Sequence, residues 1–181
     1  MHKAARVANL LGVVALAVAE RTREAAEDAV GAGGAAAAAL VHLHSRPGES
    51  VSALGRVLGL TQPGAVRLVD RLVALGLVTR ATAGATGDGR SVLLSLTAAG
   101  QERAAAVLTA RSAALQQILA GLEPAAVDRL VPLLEQLVVS LPPAGDRQEL
   151  RADEAVLQLC RLCDRDACRR DPGCPIEEQY R

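Results

Sequence analysis

All four cysteines of this 181-residue chain fall in one stretch, CRLCDRDACRRDPGCP, at Cys160, Cys163, Cys168 and Cys174. The spacing is Cys-x2-Cys-x4-Cys-x5-Cys. A lone cysteine is usually a buried small hydrophobe, but four gathered in one tail are not a packing pattern. Four thiolates suit a tetrahedral Zn²⁺ with no open position, a structural centre and not a hydrolytic one. Asp171, Pro172 and Gly173 supply the bend that returns Cys174 to the others. A zinc tetrathiolate is a dianion, and Arg161, Arg165, Arg169 and Arg170 lie close enough in sequence to offset it. Two other chemistries use the same ligands. An iron–sulfur cluster would make the tail a redox or oxygen sensor, and Cys174-Pro175 echoes a ferredoxin-like ending. Two disulfides or a thiol switch form the third option, less suited to a compartment kept reducing.

A second set of residues points to nucleic acid. In LGLTQPGAVRLVDRLVALG, Gly59 ends one helix and Thr61 caps the next, with Pro63 tolerated in its first turn. Ala65, Leu68, Val69 and Leu72 recur at helical spacing and form the buried stripe. The opposite face carries Gln62, Pro63, Val66, Arg67, Asp70 and Arg71. Upstream, Ala53, Leu54, Val57 and Leu58 form one face of a short helix. Downstream, Leu77 begins two strands around a Gly-rich tip. Helix, tight turn, helix and hairpin is the order of a winged helix-turn-helix. From Arg46 to Arg90 six arginines face only Glu49, Asp70 and Asp88, a local +3 in a chain neutral overall. Such a surplus favours phosphate.

LGLTQPGAVRLVDRLVALGLVTR and the wing DGRSVLLSLTAAG, Asp88 to Gly100, resemble the recognition region and the D-x-R…L-T-x-x-G wing of MarR-type transcriptional regulators. The element order extends the resemblance over roughly Leu10 to Leu141, although the specific motifs lie between Leu54 and Gly100. It implies a mainly α fold with a small β-wing, a homodimeric repressor or activator of transcription, of which repression is preferred, and a palindromic duplex operator. By the same resemblance Arg90 enters a minor groove with Asp88 orienting it. Thr61, Gln62, Pro63, Gly64, Val66, Arg67 and Arg71 then lie at the major groove. Pro63, Gly64 and Val66 stand where that family often carries hydroxyl or amide readers, so few polar side chains remain for base edges.

The elements that must position these residues divide the chain into four parts: 1–46, N-terminal helices; 47–100, the winged helix-turn-helix; 101–142, C-terminal dimerisation helices; and 143–181, an extra helix and the cysteine tail. Half of the residues are apolar but only 1% are aromatic, with no Phe or Trp, so the core is Leu, Val and Ala. That composition argues against single-strand binding through stacking platforms. It also predicts that a pocket for a small-molecule or redox effector lacks aromatic rings.

The opening MHKAARVANLLGVVALAVAE mimics a secretory signal, which keeps a secreted, disulfide-bonded helical protein as a rival. Its apolar run is too short to span a bilayer. Val7, Leu10, Leu11, Val14 and Val18 keep helical spacing instead, which predicts a helix buried almost all round at a dimer interface, in the cytoplasm where DNA is read. Gly31, Gly33 and Gly34 break it before a second helix over 35–44. His42 and His44 lie about 200° apart on that helix and cannot share one ion unaided. Thr97 caps a long helix, and Glu123-Pro124 open another, in which Pro132 marks a kink or the true first turn. Leu108, Leu115, Ile118, Leu119 and Leu122 on the first, and Leu130, Leu133, Leu134, Leu137 and Val138 on the second, predict buried faces. Asp146 to Glu149 reads as a capping box opening the tail helix. No nucleophile triad, phosphate loop or paired-carboxylate motif stands out, so no enzyme activity is expected.

Overall fold

A computed structural model describes residues 2–82, 92–141, 157–168, 170 and 173–176. Six longer helices and three short strands follow in the order α1 (His2–Val30), α2 (Gly34–Ser45), β1 (Glu49–Ser50), α3 (Val51–Leu58), α4 (Gln62–Ala74), β2 (Val78–Thr82), β3 (Val92–Leu96), α5 (Ala98–Leu119) and α6 (Pro124–Ser140). A four-residue helix, Arg165–Cys168, lies in the cysteine tail. The strands form an antiparallel sheet in the order β1-β3-β2, with Val78 opposite Leu96 and Glu49 opposite Leu94. The fold class is as expected, mainly α with a small β-wing. The first wing strand starts at Val78, one residue after Leu77, because Leu77 is occupied in closing α4 through its N–H to Leu72 O. The strand β1, only two residues long, gives no periodic signal in the sequence.

The core is built around α2. Every residue from Ala36 to Leu43 is buried, and Leu40 and Leu43 join Leu54, Val69, Leu72, Val78, Leu94 and Val107 as fully enclosed side chains. The alanine run is thus a packing device, since small side chains let neighbouring helices approach on all sides. At the junction of β2 and α5, a Cβ on Gly100 would run into the Leu77 carbonyl oxygen. That close approach accounts for the glycine of the L-T-x-x-G motif. Thr97 caps α5, its hydroxyl accepting from Gly100 N at 3.0 Å.

Three expectations are corrected. The helix buried almost all round is α2 and not α1: α1 packs its later half against α5 and α2 through Ala26 and Val30, while Val7, Leu10, Leu11 and Val14 remain at least half exposed. The face predicted as buried on α6 is open as well, with Leu133 55%, Leu134 47% and Leu137 43% exposed and no α6 residue buried. On α5, Leu108, Leu115 and Ile118 are half-buried, whereas Leu119 and, just past the helix, Leu122 face solvent. Helical periodicity identifies an apolar face without identifying what covers it. Third, Pro132 lies inside α6, and it is Pro124 that occupies the first turn. The capping box at 146–149 and the start of its helix lie outside the described residues.

Candidate nucleic-acid interface and cysteine cluster

The turn between α3 and α4 has the geometry its residues dictate. Ser50 caps α3 by accepting from Ala53 N at 3.2 Å, and Gly59 ends it in the left-handed region at φ 66°. Thr61 caps α4, its hydroxyl oxygen accepting from Gly64 N at 3.3 Å. The two helices cross closely at Gly55, where a Cβ would sit 2.9 Å from that of Ala65. Gly55 was not expected at this crossing, since its only signal is a glycine inside an apolar-periodic helix.

Ala65, Val69 and Leu72 are fully buried and Leu68 is half-buried, which turns the other face of α4 outward. Thr61, Gln62, Pro63, Val66, Arg67, Asp70 and Arg71 are all exposed along it, and Gly64 is half-buried. One contact was not anticipated: Arg80 on β2 pairs with Asp70 at 2.8 Å, joining the exposed face of α4 to the root of the wing. Asp88 and Arg90 lie outside the described residues.

Behind this face, His42 is buried and its Nε2 donates to Glu49 Oε2 at 3.0 Å. Burial alone would raise the Glu49 pKa. The His42 hydrogen bond and the nearby charges of His42, Arg46 and Arg56 outweigh it and hold the carboxyl below its ordinary range. The pair fastens α2 to β1. His44 instead is exposed and bonds Gln101 on α5. The two histidines therefore serve different contacts, as their spacing requires.

The four cysteines do come together. Cys160, Cys163 and Cys168 are half-buried, Cys174 is buried, and none of the four is joined in a disulfide. Cys163 lies near Cys160 and Cys168, and Cys174 packs in one small cluster with Cys160 and Cys168. The turn that pairs the first two is closed by Cys163 N donating to Cys160 O at 3.0 Å. The Cys163 thiol, placed to donate to Cys160, lowers the Cys160 pKa and raises its own, with burial adding to the rise. Burial first, and then the neighbouring Cys163 and Cys174, push Cys168 up to about 12. Among the described residues, no three or more His, Cys, Asp or Glu side chains already converge as a metal cage. Arg165 lies near Cys160, as expected, and Arg111 on α5, far away in sequence, lies near Cys163.

Cys174 and Ile176 make a small second core with Val138 of α6. Upstream, Leu157 and Gln158 are buried against the main body, and Gln158 Nε2 donates to Arg56 O on α3 at 2.7 Å. Two cavities flank the segment. One of about 250 Å³ lies between Cys163, Val41, His44 and Leu108. The other, about 400 Å³, lies between Leu162, Ala26, Ala38 and Leu58 and has no aromatic lining.

A capped helix, a left-handed glycine turn, a second helix with an outward polar face and a β-hairpin make this a winged helix-turn-helix protein. The MarR family model matches residues 31–91, and this segment is of the MarR type, as its motifs suggested. Solved structures with the same fold include the YusO protein of Bacillus subtilis, 21% identical, with 77% of this chain and 97% of that chain covered at a TM-score of 0.66. A probable transcriptional regulator from Pseudomonas aeruginosa is 27% identical over 72% of this chain and 98% of its own, TM-score 0.54. MepR, a transcription regulator of the Staphylococcus aureus multidrug efflux pump MepA, is 16% identical over 75% and 98%, TM-score 0.64. These relatives are covered almost end to end, while about a quarter of this chain has no counterpart in them.

Proposed function

We propose that the protein is a homodimeric, DNA-binding transcriptional repressor that acts in the cytoplasm on a palindromic duplex. The observation that carries this is the outward face of α4, exposed from Thr61 to Arg71 beside a three-stranded wing. Arg67 and Arg71 project where a helix inserted in a major groove meets base edges and phosphate. Val66, 38% exposed, offers methyl groups to thymine. The Thr61 hydroxyl, whose oxygen serves as cap acceptor, keeps its O–H for a phosphate. By the resemblance of the D-x-R motif, Arg90 is assigned to the adjacent minor groove. The Asp70–Arg80 pair holds helix and wing in one unit, so both grooves are engaged together.

Dimerisation is supported by the uncovered leucines of α6 and the apolar residues of the first half of α1. An apolar surface of that extent marks an interface. A two-fold dimer presents two copies of α4 to half-sites about 10 base pairs apart. Among the described residues no helix is long and apolar enough to cross a membrane.

The tail is read as a Zn²⁺ site with Cys160, Cys163, Cys168 and Cys174 as ligands. The gathering of all four cysteines in one short segment supports it, with Cys160, Cys168 and Cys174 packed in one small cluster. Zinc would draw the thiols into a tetrahedron.

Titration of duplex with Arg67→Ala and Arg90→Ala at two salt concentrations tests the DNA surface. Arg67→Ala alters base preference, and Arg90→Ala flattens the salt dependence for all duplexes. Parent-like binding by both variants would reject this surface. Elemental analysis after anaerobic purification tests the tail. One zinc per chain supports the site; brown protein with stoichiometric iron replaces zinc by a cluster, and metal-free protein with four titratable thiols removes the metal.

A further inference from the structure

We infer that the cysteine segment is an allosteric metal site: a thiophilic divalent cation held by its four thiols braces α3 against α6 and thereby raises the affinity for DNA. This rests on the proposed reading of the chain as a DNA-binding dimer.

The segment touches both partners of the brace within a few residues. On one side Gln158, two residues before Cys160, is buried and donates to the Arg56 carbonyl at 2.7 Å. That carbonyl belongs to the last turn of α3 and also receives the N–H of Gly59, which opens the turn to α4. Leu162, between Cys160 and Cys163, packs on the main core. On the other side, Cys174 and Ile176 pack with Cys160 and Cys168 against Val138 of α6. Among the described residues α6 packs extensively against no other helix or strand. The thiols therefore lie on the path by which the helix-turn-helix is registered to the helix that offers its leucines to a second copy.

Around the cysteines the segment has little packing of its own. The cluster at Cys174 and Ile176 has two buried residues, and cavities of about 250 and 400 Å³ flank the segment. So small a unit needs a staple, and a cation binding four thiolates contributes its binding energy as folding energy. Without the cation the segment loosens, Gln158 releases Arg56, and α3 gains freedom that must be lost again when the dimer docks on DNA.

The test compares zinc-loaded and chelator-treated full-length protein, parent and Gln158→Ala, under anaerobic conditions. Hydrogen exchange of the α3 amides reports the brace without reference to DNA, and titration of a duplex enriched from a random library reports affinity. For the parent, zinc slows exchange in α3 and tightens DNA binding about tenfold. Gln158→Ala binds the same amount of zinc, but the effect on both readouts falls to less than about twofold. Zinc that binds without changing α3 exchange overturns the brace, as does a segment that takes up no zinc. Exchange that responds to zinc in a protein binding no duplex at any zinc level would overturn the DNA-binding reading and the affinity effect with it.

Discussion

α2 and α6 are both apolar helices, and their surroundings are opposite. α2 has eight consecutive buried residues, Ala36 to Leu43, while α6 has no buried residue. The side chains follow this division. α2 is mostly alanine, which wraps closely inside a single chain; α6 displays leucines, each with a large apolar area left in contact with water. Burying a leucine contributes about 1.5–3 kcal/mol, so a second surface that covered this row would be strongly favoured. In the proposed dimer, stability within the chain and assembly between chains draw on separate helices.

Substitutions can sharpen or break that separation. Leu43→Ala should lower the unfolding free energy by about 2–5 kcal/mol at every protein concentration, because it leaves a cavity inside one chain. Leu134→Ala should do so mainly through the dimer, giving a urea midpoint that falls on dilution. Equal, concentration-independent effects would remove the distinction. Introducing charge with the double substitution Leu133→Glu and Leu137→Glu should produce monomers by sedimentation with helical content retained; a dimer that survives would move the interface off α6. Arg67→Ala should leave assembly unchanged and cost about 1–3 kcal/mol at one base position.

The smallest effect concerns Glu49. Its folded-state pKa lies below its ordinary value, so it contributes stability that is fully present above the unfolded-state value and is lost as pH falls through the folded one. Glu49→Gln should therefore cost about 1 kcal/mol near neutral pH, with the difference closing in acid. A gap that stayed constant down to strongly acid pH would assign the effect to shape and not to charge.

The helix-turn-helix was legible because its signals are local. Gly59, Thr61 and Pro63 define a turn by their own backbone and capping preferences, and Thr97 and Pro124 do the same for α5 and α6. What the sequence could not show depends on distance. Arg80 meets Asp70 across the wing, and Gln158 meets Arg56 over 102 residues, with no periodicity to announce either pair. The depth of α2 was hidden because alanine is a weak hydrophobic signal. The open faces of α1 and α6 could not be told from covered ones, because a stripe has the same spacing whether its own chain or another copy covers it. In the tail, spacing brought the four cysteines to notice, but their mutual placement and the approach of Arg111 come only from the fold.

The central claim is that two copies of α4, fixed in one dimer, read duplex DNA. Selection of binding duplexes from a random library by the purified full-length protein tests it most directly. The expected outcome is an enriched palindrome with half-site centres about 10 base pairs apart, lost when Arg67 and Arg71 are both replaced by alanine. No enriched sequence, or a single asymmetric site bound equally well by that double variant, would contradict it.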